Sequence, residues 1–284
     1  MLKVLQKLKS SPAQKVRELL GAGYELPSFP AAAMNILGLL RDAESSIKEI
    51  TAQLQIDPGI HVRVLSTVNS AAFGLSTKVS NVQHAATLLG RSRLEALVLS
   101  VAVKESLPAP DRKEFDSQQF WKSAARRASL ARVLAKHLHP ATQTEAFTAG
   151  LLQDMAVPIL ATRKNKLHFP IYDRWKSDPC VKLHELEARQ LGFDHAMLGG
   201  VMAKEWHLPE YLITAIAGHH DRNSDNQPEP AIILVSYLRD SSVDDGTDAI
   251  VKACHDSYGI GNDAALDLIK HALDDAEEYC QSMK

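Results

Sequence analysis

The sequence predicts an all-α protein that folds as a multi-helix bundle. Apolar residues recur at intervals of three and four along most of the 284-residue chain, and no segment keeps the alternation of apolar and polar residues that marks a strand. Helix-start signals precede several of these segments. A chain of this length can bury a full core, as one large domain or as two subdomains.

Strong start and stop signals define the helices of the N-terminal half. Ser46 and Glu49 fit a capping box, and Asp57-Pro58 joins a preferred N-cap to a preferred first helical residue. The helix that starts at Asp57 should end near Asn69-Ser70, where the Asn69 side chain either bonds local backbone or serves an interface. A further helix from about residue 82 should break at Gly90 and then continue.

The C-terminal half should contain one long helix and several shorter ones. Asp116 predicts the N-cap of the long helix, in which Phe120 and a series of alanines form a stripe suited to close packing. The next helix should run over 144–160, with a kink because Pro158 removes a hydrogen bond at Asp154. Shorter helices should follow at 179–191, 194–206 and 209–218, with three more in the remainder of the chain.

Composition indicates a cytoplasmic protein, and we expect it to bind neither nucleic acid nor membranes. The formal net charge of −2 gives no basic field that would attract nucleic acid. The longest nearly apolar run, over 94–103, is about half a membrane span, and the N-terminus lacks a signal-peptide core. Three widely spaced cysteines make neither a disulfide framework nor a zinc motif. We expect the basic residues of the long helix to form a solvated face: Lys122, Arg126, Arg127, Arg132 and Lys136.

The segment Gly150-Leu151-Leu152-Gln153-Asp154 holds the first candidate for chemistry. A histidine at position 153 would offer a metal an imidazole nitrogen beside the Asp154 carboxylate, whereas the amide of Gln153 is an uncharged and poor ligand for a transition metal. Asp154 is therefore interpreted in two ways. It belongs to a polar pocket, or it is a polar residue beside a helix kink that bonds a neighbouring helix.

Histidines form the second group of candidates. His195 shares a helical stripe with Leu198 and should point into the core, either as a hydrogen-bonded core residue or as a ligand if Asp154 and other histidines converge on it. Successive helical residues point about 100° apart, so His219 and His220 can share one metal only if their helix ends there. The alternative is that one of these imidazoles caps the C-terminus of the helix.

Two stretches of the chain together resemble the HDOD domains (HD-related output domains) of bacterial signalling proteins. The first consists of Leu26-Pro27-Ser28-Phe29-Pro30, Ile56-Asp57-Pro58, Val64 to Gly74 with its Asn69-Ser70-Ala71, and Ala85 to Gly90. The second consists of Phe120-Trp121, Ala149 to Asp154, Leu191 to His195, Trp206 to Pro209 and Ala215 to His220. The resemblance covers roughly residues 20–222 and gives Asp57, Asn69 and Ser70 an interface or structural role.

This resemblance implies an HD-like helical bundle with an N-terminal helical subdomain. The implied parts are N-terminal helices (1–24), the N-terminal subdomain (25–108), the HD-like subdomain (109–222) and C-terminal helices that pack on the HD-like part (223–284).

The HDOD family is similar to the HD phosphohydrolases, whose metal site uses a histidine, a His-Asp pair and a final aspartate. Carried onto this chain, the first histidine falls at or next to Ser123, and the His-Asp pair becomes Gln153-Asp154. The final aspartate should lie within Ile232 to Leu238, which contains no acid, and Asp240 is the nearest one. Of the four positions only Asp154 keeps its ligand. Other histidines match outer histidines of related members: His195, His219 and His220.

The leading hypothesis is a non-catalytic signalling or regulatory module derived from a metal-dependent phosphohydrolase scaffold. Such a module would bind a signalling protein partner or a small ligand and would need no cofactor. The alternative is an active metal-dependent phosphohydrolase for a nucleotide or another phosphoester, with a divalent metal on Asp154, His195, His219 and His220. A nucleic-acid-associated regulator that uses the basic helix around Arg126 is disfavoured by the overall charge.

Overall fold

A computed structural model describes residues 16, 18, 25–69, 78–108, 115–163, 165–221, 228–239 and 245–282. Within these ranges the chain forms helices joined by turns, with no β-strand, so the all-α prediction is confirmed. None of the helices in this part of the chain is both long and apolar enough to cross a membrane.

The helices follow one another in an N-terminal, an HD-like and a C-terminal group. The N-terminal group is α1 (Ala31–Arg41), α2 (Ile47–Ile56), α3 (Pro58–Val68) and α4 (Val82–Ser106). The HD-like group is α5 (Ser117–Leu138), a 3-10 turn (Pro140–Thr142), α6 (Gln143–Leu152), α7 (Val157–Arg163), α8 (Asn165–Ser177), α9 (Leu183–Leu191), α10 (His195–Glu205) and α11 (Glu210–Gly218). The C-terminal group is α12 (Pro230–Val235), α13 (Thr247–Tyr258) and α14 (Asn262–Ser282).

The predicted capping signals set the starts of α2, α3 and α5. Ser46 and Glu49 form a reciprocal capping box, in which Ser46 Oγ accepts from the Glu49 backbone N–H and Glu49 Oε2 accepts from that of Ser46. Asp57 and Asp116 each accept from the backbone N–H three residues later, at 3.0 and 2.9 Å. The predicted break at Gly90 is also present, because this residue has φ +71° inside α4.

Asn69 joins the end of α3 to the segment that leads into α4. Its Nδ2 donates to the carbonyls of Leu65 and Val79, both at 2.8 Å, and its Oδ1 accepts from the Val79 N–H at 2.7 Å. These three bonds give Asn69 a local structural role, and an interface role stays a prediction. Ser70 lies outside the described residues.

The predicted helix over 144–160 is wrong in its middle, because α6 ends at Leu152 and α7 begins at Val157. The intervening turn is held by bonds from the Met155 N–H to the Leu152 carbonyl and from the Val157 N–H to the Asp154 carbonyl, both 2.9 Å. Pro158 thus lies in the first turn of α7, where its missing N–H needs no partner. Asp154 lies in a turn between two helices rather than in one kinked helix.

The helix predicted from residue 179 also starts later, at Leu183. Asp178 explains the delay, because its Oδ1 accepts from the Cys180 N–H and its carbonyl accepts from the Val181 N–H. This local turn competes with helix formation.

Small residues bring the helices around the candidate site close together. At Gly150 of α6, an added Cβ would lie 2.9 Å from Ala131 Cβ and 3.0 Å from a backbone carbonyl of α5. At Gly199 and Gly200 of α10, an added Cβ would lie 2.7 Å from side-chain carbons of α11. The close approach of α10 and α11 places the first residue of α10, His195, beside the end of α11.

Candidate functional site

Four of the predicted site residues meet at one point. His195 Nε2 lies 3.3 Å from His219 Nε2 and 3.0 Å from His220 Nε2. Asp154 Oδ1 lies 3.2 Å from His219 Nε2 and 3.5 Å from His195 Nε2. These ligand atoms come from the turn after α6, the start of α10 and the end of α11, so the fold unites residues that are far apart in sequence. We call Asp154, His195, His219 and His220 the four-residue cluster.

The end of α11 explains how two adjacent histidines reach the same point. The helix stops at Gly218, and the Asp221 N–H donates to the Gly218 carbonyl at 2.8 Å, which closes a turn around the pair. His219 Nδ1 donates to the Ile216 carbonyl at 2.8 Å. His219 therefore bonds the last turn of the helix and faces the cluster at the same time, so the two interpretations of this pair are compatible.

A buried carboxylate that the sequence reasoning missed lies behind His195. Glu187 of α9 is fully buried and accepts from His195 Nδ1 at 2.6 Å, from the His195 backbone N–H at 2.9 Å and from His168 Nε2 at 2.9 Å. A carboxylate bonded to Nδ1 fixes the orientation of the ring and leaves Nε2 for the cluster.

Arg127 corrects the prediction of a solvated basic face on the long helix. Its side chain is only 5% exposed, and its Nη2 lies 3.0 Å from Asp154 Oδ2. Arg127 lies one helical turn after Ser123, so the two share a face of α5 that points to the turn carrying Asp154. The guanidinium occupies one carboxylate oxygen, and the histidines surround the other.

The charges of these groups follow from their neighbours. Burial by itself would raise the pKa of Asp154, but the Arg127 charge and the imidazoles of His195 and His219 hold that pKa well below its usual range. Burial would likewise lower the pKa of His195, but the Glu187 and Asp154 carboxylates raise it well above its usual range.

The remaining imidazole of the cluster behaves differently. Burial and the neighbouring histidines lower the pKa of His220 well below its usual range. His184 stacks on its ring with centroids 3.9 Å apart, and burial lowers the pKa of His184 to about 4. Neutral imidazoles of this kind are the form that binds metals.

The positions that the HD resemblance assigns to lost ligands hold no replacement. Ser123 and Gln153 are buried, and neither Ser123 Oγ nor Gln153 Oε1 has a hydrogen-bond partner. The segment from Ile232 to Leu238 forms α12 and the turn after it, and its aliphatic side chains pack in the core. Asp240 lies outside the described residues.

The cluster forms the floor of a cavity of about 520 Å³. Polar groups at the floor include Ser123, Arg127 and Asp221. The wall is largely apolar and aromatic, and Tyr172, Trp175, Val181 and Leu238 contribute to it. A cavity of this size with a few convergent polar groups is typical of small-molecule sites.

The residues present fit one metal ion and do not fit the four-ligand set of an HD phosphohydrolase. Three imidazole nitrogens converge with a carboxylate oxygen that has no conventional donor. With Ser123 and Gln153 at two ligand positions and Arg127 on Asp154 Oδ2, no second group of ligands surrounds this carboxylate in the described residues.

Spacing could have revealed the residues that were missed. Glu187 lies four residues after Leu183 and four before Leu191, both buried, so it belongs to the apolar stripe of α9. Arg127 lies three residues after Ala124 on the buried stripe of α5. A charged residue on an apolar stripe signals a buried partner, although the sequence alone does not name that partner.

Comparison with known proteins identifies the family. A model of the HDOD domain matches residues 26–222, which is more than half of the chain. The chain belongs to the HDOD domain family. An uncharacterised protein of Treponema pallidum (strain Nichols) is 24% identical over 215 residues, which are 75% of this chain and 41% of that protein. The chain thus spans about two-fifths of the length of this HDOD relative.

Solved structures share the HDOD fold of this chain at low sequence identity. A candidate phosphohydrolase from Shewanella amazonensis SB2B matches with a TM-score of 0.75 and 21% identity, covering 98% of this chain and 100% of its own. An HDOD domain protein of unknown function from Geobacter sulfurreducens matches with a TM-score of 0.71 and 20% identity, covering 94% and 98%. A candidate signal transduction protein from Marinobacter aquaeolei VT8 matches with a TM-score of 0.74 and 18% identity, covering 96% and 65%.

Proposed function

We propose that this HDOD protein is a non-catalytic regulatory module that binds a small ligand in the cavity above the four-residue cluster. The observation that carries the proposal is a ligand-sized cavity whose floor is polar but lacks the ligand set of a hydrolase. Of the two partner classes predicted, a signalling protein or a small molecule, the enclosed and partly aromatic cavity favours the small molecule.

Loss of hydrolytic ligands supports a binding role over catalysis. A hydrolytic metal needs enough anionic or imidazole ligands to be held, and it also needs an open position for the water that it activates. Two of the HD ligand positions are filled by Ser123 and Gln153, which offer a hydroxyl and an amide. The remaining acid of the HD set, Asp154, is shared with a guanidinium.

A second candidate function is metal-dependent phosphoester hydrolysis. The convergence of three imidazoles with Asp154 Oδ1 favours it, because this set can hold a divalent ion. Such an ion would supply Lewis acidity toward a phosphoryl oxygen. In that function His195 would be oriented by Glu187, and Arg127 would fix the Asp154 carboxylate.

A phosphatase assay on the full chain separates the two candidates. The purified protein would be incubated with p-nitrophenyl phosphate and with nucleoside mono-, di- and triphosphates, each with Mg²⁺, Mn²⁺ or Zn²⁺. We expect wild type to show no turnover above that of Asp154→Ala and His220→Ala, with the exposed His137→Ala as the matched control.

Turnover by wild type and His137→Ala that both site variants lose would overturn the regulatory proposal and establish the hydrolase. Turnover that survives in both site variants would come from a contaminating phosphatase, and repurification of wild type to constant specific activity would then decide between the two.

A further inference from the structure

We infer that the four-residue cluster is a preorganised, closed tetrahedral site for one zinc-type divalent ion. This goes beyond the proposed function, because a regulatory pocket needs no metal and a hydrolytic one needs an open metal. The inference rests on the distances between the ligand atoms, the orientation of the rings and the chemistry of the donors.

The distances between ligand atoms match a tetrahedron of the size that zinc forms. A tetrahedral ion with bonds of about 2.0–2.1 Å separates its ligand atoms by about 3.3–3.4 Å. Four separations within the cluster are 3.0, 3.2, 3.3 and 3.5 Å. An octahedral Mg²⁺ with bonds of about the same length would hold adjacent ligands about 2.9 Å apart, and all four observed separations are longer.

Hydrogen bonds behind two of the rings direct lone pairs into this tetrahedron. A backbone carbonyl can only accept, so the contact with Ile216 requires the proton of His219 to be on Nδ1. The Glu187 carboxylate holds the Nδ1 proton of His195 in the same way. In the neutral form of each ring the Nε2 atom therefore presents a lone pair to the centre of the cluster.

The donors select the class of metal. Three imidazole nitrogens and one carboxylate oxygen suit Zn²⁺ and related transition ions, whereas Mg²⁺ and Ca²⁺ prefer sites made of oxygen. Four protein ligands complete a tetrahedron, so no position remains for an activated water. The Arg127 guanidinium occupies Asp154 Oδ2, so this carboxylate offers one oxygen and serves one ion.

Such an ion would join three separate parts of the fold. It would tie the turn at Asp154 to the start of α10 at His195 and to the end of α11 at His219 and His220. These are the segments that form the floor of the cavity, so occupancy of the metal site would rigidify the surface on which a ligand rests.

Cobalt substitution tests the inference directly. The full chain would be stripped with a chelator and titrated with Co²⁺, because tetrahedral Co²⁺ absorbs visible light strongly and octahedral Co²⁺ absorbs it weakly. We expect one Co²⁺ per chain by elemental analysis, an intense visible band, and loss of that band when one equivalent of Zn²⁺ is added.

Variants assign the band to the cluster. His195→Ala and His220→Ala should lose the band, whereas the exposed His137→Ala should keep it. Glu187→Gln should bind Co²⁺ about 10–100-fold more weakly while keeping the tetrahedral spectrum, because it alters the support of a ligand and not the ligand itself.

A weak octahedral spectrum, two ions per chain, no bound Co²⁺, or a band that persists in both histidine variants would overturn the inference. The wild-type spectrum and stoichiometry decide the question even if a variant fails to fold, and circular dichroism identifies such a variant. An intense cobalt band in a protein that hydrolyses phosphoesters would overturn the proposed function and leave the metal site standing. Absence of metal together with absence of hydrolysis would do the reverse.

Discussion

The N-terminal region and the HD-like region bury different kinds of side chain. Over the described residues 25–108, the buried polar side chains are Ser45, Thr51 and Ser100, and each donates to a group three or four residues earlier in the chain. Over 115–163 and 165–221, the interior instead contains ionisable groups that meet across helices. These are Arg127, His168, Glu187, His195 and His219.

This difference separates a region built for stability from one that sacrifices stability for a site. An aliphatic interior stabilises the fold through burial of apolar area. A buried charge has to recover a desolvation cost of several kcal/mol from its partners, and the unpartnered Ser123 Oγ and Gln153 Oε1 recover none. Such an interior persists where the rest of the fold holds it and where binding uses it.

The largest expected effect comes from removing the anchor of the polar interior. Glu187→Ala leaves two buried imidazoles without their shared acceptor and should destabilise the metal-free protein by about 3–5 kcal/mol. The matched change in the N-terminal region, Ser100→Ala, removes one bond to the Ala96 carbonyl and should cost about 1 kcal/mol or less. Urea unfolding of both variants measures the gap, and equal losses would show that the two interiors do not differ energetically.

Acid should remove much of the contribution of the polar interior. Burial alone would raise the pKa of Glu187, but the charges and hydrogen bonds of His195 and His168 lower it from 4.5 to about 2. Because the pKa is lower in the folded protein than in the unfolded chain, the stabilisation is fully present above pH 4.5 and is lost as the pH falls toward 2. The contribution at neutral pH is on the order of 3 kcal/mol.

Unfolding of metal-free wild type and Glu187→Gln between pH 7 and pH 3 measures this dependence. The difference in stability should be constant near neutrality and should shrink below pH 4.5. The difference between wild type and Ser100→Ala should not change with pH, because no ionisable group is altered. A Glu187→Gln difference that stays constant down to pH 3 would contradict the assignment.

The sequence predicts the N-terminal region better because its signals are local. The capping box of Ser46 and Glu49, the N-cap at Asp57 and the break at Gly90 each depend on a few consecutive residues. The sequence also predicts which histidines deserve attention, because His195 begins an apolar stripe and His219 and His220 follow a glycine.

The polar interior was harder to predict because its partners are distant in sequence. Pro158 suits both a kink and the first turn of a new helix, and only the packing decides between them. Arg127 resembles its solvated basic neighbours until the turn carrying Asp154 is placed against α5. Glu187 lies on an apolar stripe, but its role depends on His168 and His195 from two other helices.

A pair of glycines tests the same contrast through packing, with the smallest expected effects. Gly38 of α1 is exposed and an added Cβ would meet nothing within 4 Å, so Gly38→Ala should stabilise the protein by about 0.5–1 kcal/mol through helix propensity. At Gly150 the added methyl would press on Ala131 Cβ and on the Arg127 carbonyl, at 2.9 and 3.0 Å. Gly150→Ala should therefore cost about 1–3 kcal/mol, because backbone on α5 has to move.

The opposite signs are the informative result, and urea unfolding of the two single variants measures them. Since Gly150 packs against the stretch of α5 that carries Arg127, its substitution should also weaken Co²⁺ binding at the four-residue cluster, whereas Gly38→Ala should leave that affinity unchanged. Stabilisation by both substitutions would mean that α5 and α6 are not in close contact. The short distance between Arg127 and Asp154 would then lose its structural basis.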